Sequence, residues 1–94
     1  MDALDSSIAA GGVLDGNAIG GLLAEVFGTE MTAAAGTCGS CGRTGPVAEL
    51  VVYLRVPGTV ARCPNCAAVL MVITSRRGMN CVDLSGLATL AVPA

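Results

Sequence analysis

Two cysteine pairs set the terms for this chain: Cys38-Gly39-Ser40-Cys41 and Cys63-Pro64-Asn65-Cys66, with 21 residues between them. In each pair, two intervening residues bring both sulfurs to one side of a tight loop and turn backbone amides toward them. Two such loops at this separation are the pattern of a four-thiolate metal site. Gly42 permits positive φ after the first pair and Pro64 presets the turn in the second. Ala67 stands where a glycine would ease the second loop, so a less regular turn is expected there. The expected ligands are Cys38, Cys41, Cys63 and Cys66. The expected ion is zinc, one per chain, because a closed tetrahedral set of thiolates is its usual structural site. Iron in the same cage is the alternative. A closed set leaves no position for water or substrate, and the chain has no histidine, the commonest general base. No enzyme and no small-molecule substrate are expected. The fifth cysteine, Cys81, has no nearby partner and falls in a stretch expected to be a strand, where a buried inert thiol is the simple reading. A reactive thiol or a substitute ligand is the other.

Ninety-four residues are enough for one domain that needs a staple, because so short a chain buries a smaller share of its surface than a longer one. An apolar fraction of 53% and a mean hydropathy of +0.73 exceed what such a fold can hide, which points to a protein partner or a homo-oligomer. The longest apolar run, 67–73, is strand-sized, so no membrane span is expected. Asp2 and Asp5 stand where a secretory signal would be positive, and the cytoplasm, where thiols stay reduced, is the expected compartment. All five basic residues (Arg43, Arg55, Arg62, Arg76, Arg77) lie between positions 43 and 77 beside a single acid, Glu49, whereas positions 1–30 hold five acids and no base. A four-thiolate zinc site carries a charge of about −2, which offsets part of that basic centre. The lack of lysine beside abundant Ala, Gly and Val suggests a GC-rich bacterial genome.

Along the chain, residues 1–14 read as a flexible lead-in. Residues 15–28 read as an amphipathic helix: Asp15 or Asn17 can cap it, Ile19, Leu22, Leu23, Val26 and Phe27 fall on one face, and Gly28 stops it. So short a helix, weakened by Gly20 and Gly21, must dock that stripe either on its own domain or on a partner. A small-residue linker, 29–37, leads to a metal-bearing domain over 38–84. Within it, 47–56 reads as a strand with Ala48, Leu50, Val52, Leu54 and Val56 on the buried face. A turn at Pro57-Gly58, a strand over 59–62, and a hairpin of 69–74 with 79–84 turning near Arg77-Gly78 follow. The tail, 85–94, shows no clear element.

The segment 38–84 resembles a zinc ribbon, in which two C-x2-C knuckles clamp one ion at the end of a three-stranded antiparallel sheet; the four cysteines match that pattern position by position. The resemblance implies a small α+β, metal-stapled fold with the amphipathic helix preceding the ribbon. Ribbons serve many processes, so it implies a metal and a scaffold more than an activity. A longer pattern is similar to a family of short uncharacterised bacterial zinc-ribbon proteins. It comprises Leu14-Asp15-Gly16-Asn17-Ala18, Leu23-Ala24-Glu25-Val26-Phe27-Gly28, Met31-Thr32, the first knuckle, Gly45-Pro46-Val47-Ala48-Glu49-Leu50 and Arg62-Cys63-Pro64. Rubredoxins pair comparable knuckles around iron among several aromatic residues, whereas Phe27 and Tyr53 are the only aromatics here.

Three functions compete on these grounds. The first is a non-catalytic module for protein interaction or assembly, with Ile19, Leu22, Leu23, Val26 and Phe27 as candidate partner contacts. The second is nucleic-acid binding through Arg43, Arg55, Arg62, Arg76 and Arg77, which a net charge of −2 and one tyrosine in the ribbon support poorly. The third is redox work, with iron at the four sulfurs or with a C-x2-C dithiol, which would need a thiolate at a helix start.

Overall fold

A computed structural model describes residues 13–55 and 58–93. Among the described residues, eight strands form two antiparallel sheets, with one short α-helix between the first two strands. The strands are β1 (Val13–Asp15), β2 (Ala35–Cys38), β3 (Thr44–Pro46), β4 (Val51–Arg55), β5 (Gly58–Arg62), β6 (Val69–Arg76), β7 (Met79–Asp83) and β8 (Leu87–Ala91). The larger sheet has the order β1-β4-β5-β6-β7 and the smaller one β3-β2-β8. A ribbon alone would have three strands; here β3 to β7 lie within 38–84, and β1, β2 and β8 come largely from segments read as lead-in, linker and tail.

The helical segment begins as the sequence suggests. The Asp15 carboxylate accepts from the Asn17 amide at 3.1 Å, a 3-10 turn spans Gly16–Ile19, and helix α1 covers Gly20–Phe27. Gly28 ends it in the left-handed region at φ 74°, its amide donating to the Ala24 carbonyl at 2.8 Å. Ile19 and Leu23 are fully buried in the chain's own core, and Leu22, Val26 and Phe27 pack against that core. The apolar stripe is therefore committed within the chain. No described helix is long and apolar enough to cross a membrane.

The core lies against one face of the large sheet. Val52, Ala61 and Met71 stand in one cross-strand row and are all buried, joined by Ile73, Met31, Ala34, Val47, Leu50 and the two buried cysteines. The expected strand over 47–56 begins only at Val51, because the chain first makes a 3-10 turn at Val47–Glu49. Pro46 fixes φ there, and the amides of Val47 and Ala48 are taken by the carbonyls of Ala34 at 2.8 Å and Thr32 at 3.0 Å, which draws Val47 inward. Leu54, expected to be buried, is 42% exposed. It pairs with Thr59 near the β4–β5 turn. Val56 and Pro57 lie outside the described residues, as do residues 1–12 of the lead-in, while Gly58, expected in a turn with Pro57, is the first residue of β5. Val13 and Leu14 instead belong to β1, paired with Tyr53 and Val52.

The β6–β7 hairpin turns at Arg77 and Gly78, both at positive φ (51° and 79°), the signature of a two-residue type I′ turn. Cys81 lies in β7 as expected for a strand residue, but it is exposed, because β7 is the outermost strand and all five of its residues face solvent. The tail is a strand: Ala91, Leu90 and Thr89 pair with Ala35, Gly36 and Thr37. Gly36 has no side chain, and Leu87 Cδ2 lies 3.1 Å from where its Cβ would stand.

Candidate metal centre

The two cysteine loops are built alike, and each closes a hairpin. The first connects β2 to β3: the Cys38 amide donates to the Arg43 carbonyl at 2.8 Å, and the Gly42 amide to the Cys38 carbonyl at 3.0 Å. The second connects β5 to β6: the Cys63 amide donates to the Ala68 carbonyl at 2.9 Å, and the Ala67 amide to the Cys63 carbonyl at 2.9 Å. Gly42 has φ 81° and Ala67 has φ 66°, so the second loop keeps the regular shape despite lacking glycine. Its neighbour holds it there, since Arg62 Nη1 donates to the Ala67 carbonyl at 2.9 Å while its guanidinium lies 5.8 Å from the centre of the Tyr53 ring. An L-residue in the left-handed region costs about 1–2 kcal/mol. Ala67→Gly is therefore expected to stabilise the chain by about 1 kcal/mol net of the glycine's extra unfolded freedom, read as a rise in melting midpoint with metal content unchanged.

This symmetry brings four sulfurs from distant parts of the chain to one point. Cys38 and Cys63 are buried at 2% exposure each, while Cys41 and Cys66 face outward. All four Sγ atoms lie within 4.8 Å of one another, with Cys38 to Cys66 at 3.6 Å and Cys41 to Cys63 at 3.7 Å. A tetrahedron with metal–sulfur bonds of about 2.3 Å has edges of about 3.8 Å, so the cage matches one ion at its centre. Backbone amides complete it: Ser40 and Cys41 approach Cys38 Sγ at 3.3 and 3.4 Å, and Asn65 approaches Cys63 Sγ at 3.4 Å. The Asn65 side chain reaches across to the other loop, donating from Nδ2 to Cys41 Sγ at 3.4 Å.

The thiols do not ionise alike. The Asn65 amide group, helped by the Arg43 backbone amide, pulls Cys41 down to about 6. The Cys41 amide lowers Cys38. Cys66 accepts from the Ala68 amide, which favours its thiolate, yet desolvation and three neighbouring sulfurs together push it up to about 11. Four negative charges in one cage repel, and a cation removes that conflict. The donor set is four sulfurs with no imidazole or carboxylate among them, which suits a soft or borderline ion held structurally.

Two of the arginines have partners within the chain. Arg43 makes an ion pair with Glu49 at 2.6 Å, Arg62 is engaged with Ala67 and Tyr53, and Arg76 and Arg77 stand together at the exposed β6–β7 tip. Arg55 is in β4. Two features of the centre had no clear mark in the sequence. Asn65 spans the two loops, and Gly86 accepts from the Gly39 amide at 2.9 Å, tying the first loop to the start of β8. A glycine pair 47 positions apart carries no periodic signal that would reveal the second contact.

Fold and site together define a small two-sheet protein whose clustered cysteines are compatible with metal binding. A family model described as a family of unknown function (DUF6510) matches residues 5–94, nearly the whole chain, and the protein belongs to that family. Neither a curated protein nor a solved structure matches it.

Proposed function

We propose that this protein is a non-catalytic zinc-stapled module of the zinc-ribbon type, holding one Zn(II) per chain and acting through contacts with protein. The observation that carries the metal reading is the four-sulfur cage itself, two like-built loops whose Sγ atoms all lie within 4.8 Å of one another. Cys38, Cys41, Cys63 and Cys66 would hold the ion, which supplies charge neutralisation and a cross-link rather than chemistry on a substrate. A dithiol redox role finds little support, because each loop leads into a strand and not a helix. Nucleic-acid binding finds little either, since Arg43 and Arg62 already have partners within the chain. The interaction reading rests on large apolar side chains left at the surface, including Met79, Val92 and Leu54. Reduced thiols of this kind belong in a reducing compartment, the cytoplasm.

The experiment is elemental analysis of protein purified without chelators, paired with cobalt substitution. One zinc per chain and the intense visible bands of a tetrahedral cobalt–thiolate site are expected. A red iron-loaded protein would assign electron transfer instead. A folded, metal-free protein from zinc-replete cells would sink the proposal.

A further inference from the structure

We infer that the outer edge of β7 is where two copies of this chain join, β7 against β7, antiparallel about a two-fold axis at Cys81. This rests on the interaction reading above and gives it a surface and a partner.

The hydrogen-bond phase of the hairpin decides which groups face outward. In a two-residue turn the flanking residues, here Arg76 and Met79, exchange both backbone bonds, and the alternation then runs along the strand. Met79, Cys81 and Asp83 thus direct their backbone groups at β6. Asn80 and Val82 direct theirs at the free edge. Among the described residues nothing pairs with that edge, and all five strand residues are exposed, Met79 at 68% and Val82 at 37%.

The edge is self-complementary. With Cys81 facing Cys81 of the second copy, Asn80 lies opposite Val82 of that copy and Val82 opposite its Asn80, so every outward amide and carbonyl finds a partner. Cys81 falls at the non-hydrogen-bonded pair, where Cα atoms come within about 4.5 Å and side chains are closest. The charges agree as well. Arg76 pairs with Met79, and Met79 would face Asp83 of the second copy, so arginine and aspartate lie on one face about two strand spacings, or roughly 10 Å, apart. An arginine side chain spans much of that distance.

The other free edges are less suited. β1 and β3 have three residues each, and β3 ends in Pro46. β8 is followed by Pro93. β7 has neither proline nor lysine nor a central charge, the devices by which sheets block edge pairing. A five-residue strand pair is a small contact, so the dimer is concentration-dependent.

The test is sedimentation equilibrium of the full zinc-loaded chain under reducing conditions, from micromolar to near-millimolar. A reversible rise from 9.2 kDa toward twice that mass is expected. Val82→Pro removes an outward amide without touching the β6 ladder, and Cys81→Arg sets like charges face to face at the two-fold axis. Both variants should retain one metal and wild-type circular dichroism, and both should lose the dimer; because Cys81 is exposed, the second stays informative if the first misfolds. Diamide, which takes up two electrons and two protons as two Cys81 thiols join, should yield a covalent dimer that Cys81→Ser abolishes. A wild-type chain that stays monomeric, or a folded Cys81→Arg chain that dimerises undiminished, overturns the inference. A zinc-loaded monomer that still captures another protein removes this surface and leaves the interaction reading standing, whereas one that captures none removes both.

Discussion

Chelation is expected to unfold this protein, not merely to empty its site. A competitor for thiolate-bound zinc should abolish the β-sheet circular dichroism and amide protection together, and Cys63→Ser should reproduce that state without a chelator. The scale follows from the ion: structural zinc contributes on the order of 10–16 kcal/mol in small peptides at neutral pH, against a stability of about 5–15 kcal/mol for whole domains. The geometry makes the coupling direct. Cys38 ends β2 of the smaller sheet and Cys63 directly follows β5 of the larger one, and both are buried in the shared core. In the unfolded, metal-free chain the four thiols lose the neighbours that shift them and are mostly protonated at neutral pH. Metal uptake must therefore displace thiol protons as the four thiolates form. Protons compete with the ion, so affinity should rise with pH and fall on acidification, which a metal titration at several pH values would read.

Gly86→Ala should destabilise the chain by about 3 kcal/mol or more, although the change adds one methyl group far in sequence from any cysteine. A Cβ at this position would stand 1.9 Å from the Val69 carbonyl oxygen and 2.7 Å from the Leu70 Cα, both backbone atoms at the start of β6 that no rotamer change can move. The chain would have to lift away, breaking the bond from the Gly39 amide to the Gly86 carbonyl. Gly21→Ala is the matched control: nothing lies within 4 Å of its added Cβ, and alanine favours the helix by up to about 1 kcal/mol. Denaturant melts of the two variants should move in opposite directions. Equal shifts would show that the close approach at Gly86 is not a constraint.

The cysteine cage and the elements around it were legible because each has a local cause. Spacing within each loop, the Asp15 cap, the Gly28 stop and the turn at Arg77-Gly78 depend on residues a few positions apart. What remained hidden depends on distant pairing. β2 and β8 consist largely of alanine, glycine, threonine and leucine, with no strong alternation, and each becomes a strand only because the other lies beside it. The inward Val47 and outward Leu54 reversed the expected pattern because anchoring amides at one end of 47–56, and distance from the core at the other, outweighed the period of two. Cys81 illustrates the same limit: strand content can be inferred from its neighbours, but whether a strand is central or outermost belongs to the topology.

The order of strands in the smaller sheet bears on how the chain matures in the cell. β2 is its central strand, flanked by β3 and by β8, and β8 is synthesised well after both of the others. While β8 is still inside the ribosomal exit tunnel, β2 lacks one of its neighbours and the first cysteine loop lacks the carbonyl of Gly86. Completion of the fold must wait until β8 has emerged, and in that interval four thiols stand without their full scaffold, open to oxidation or to whichever ion reaches them first.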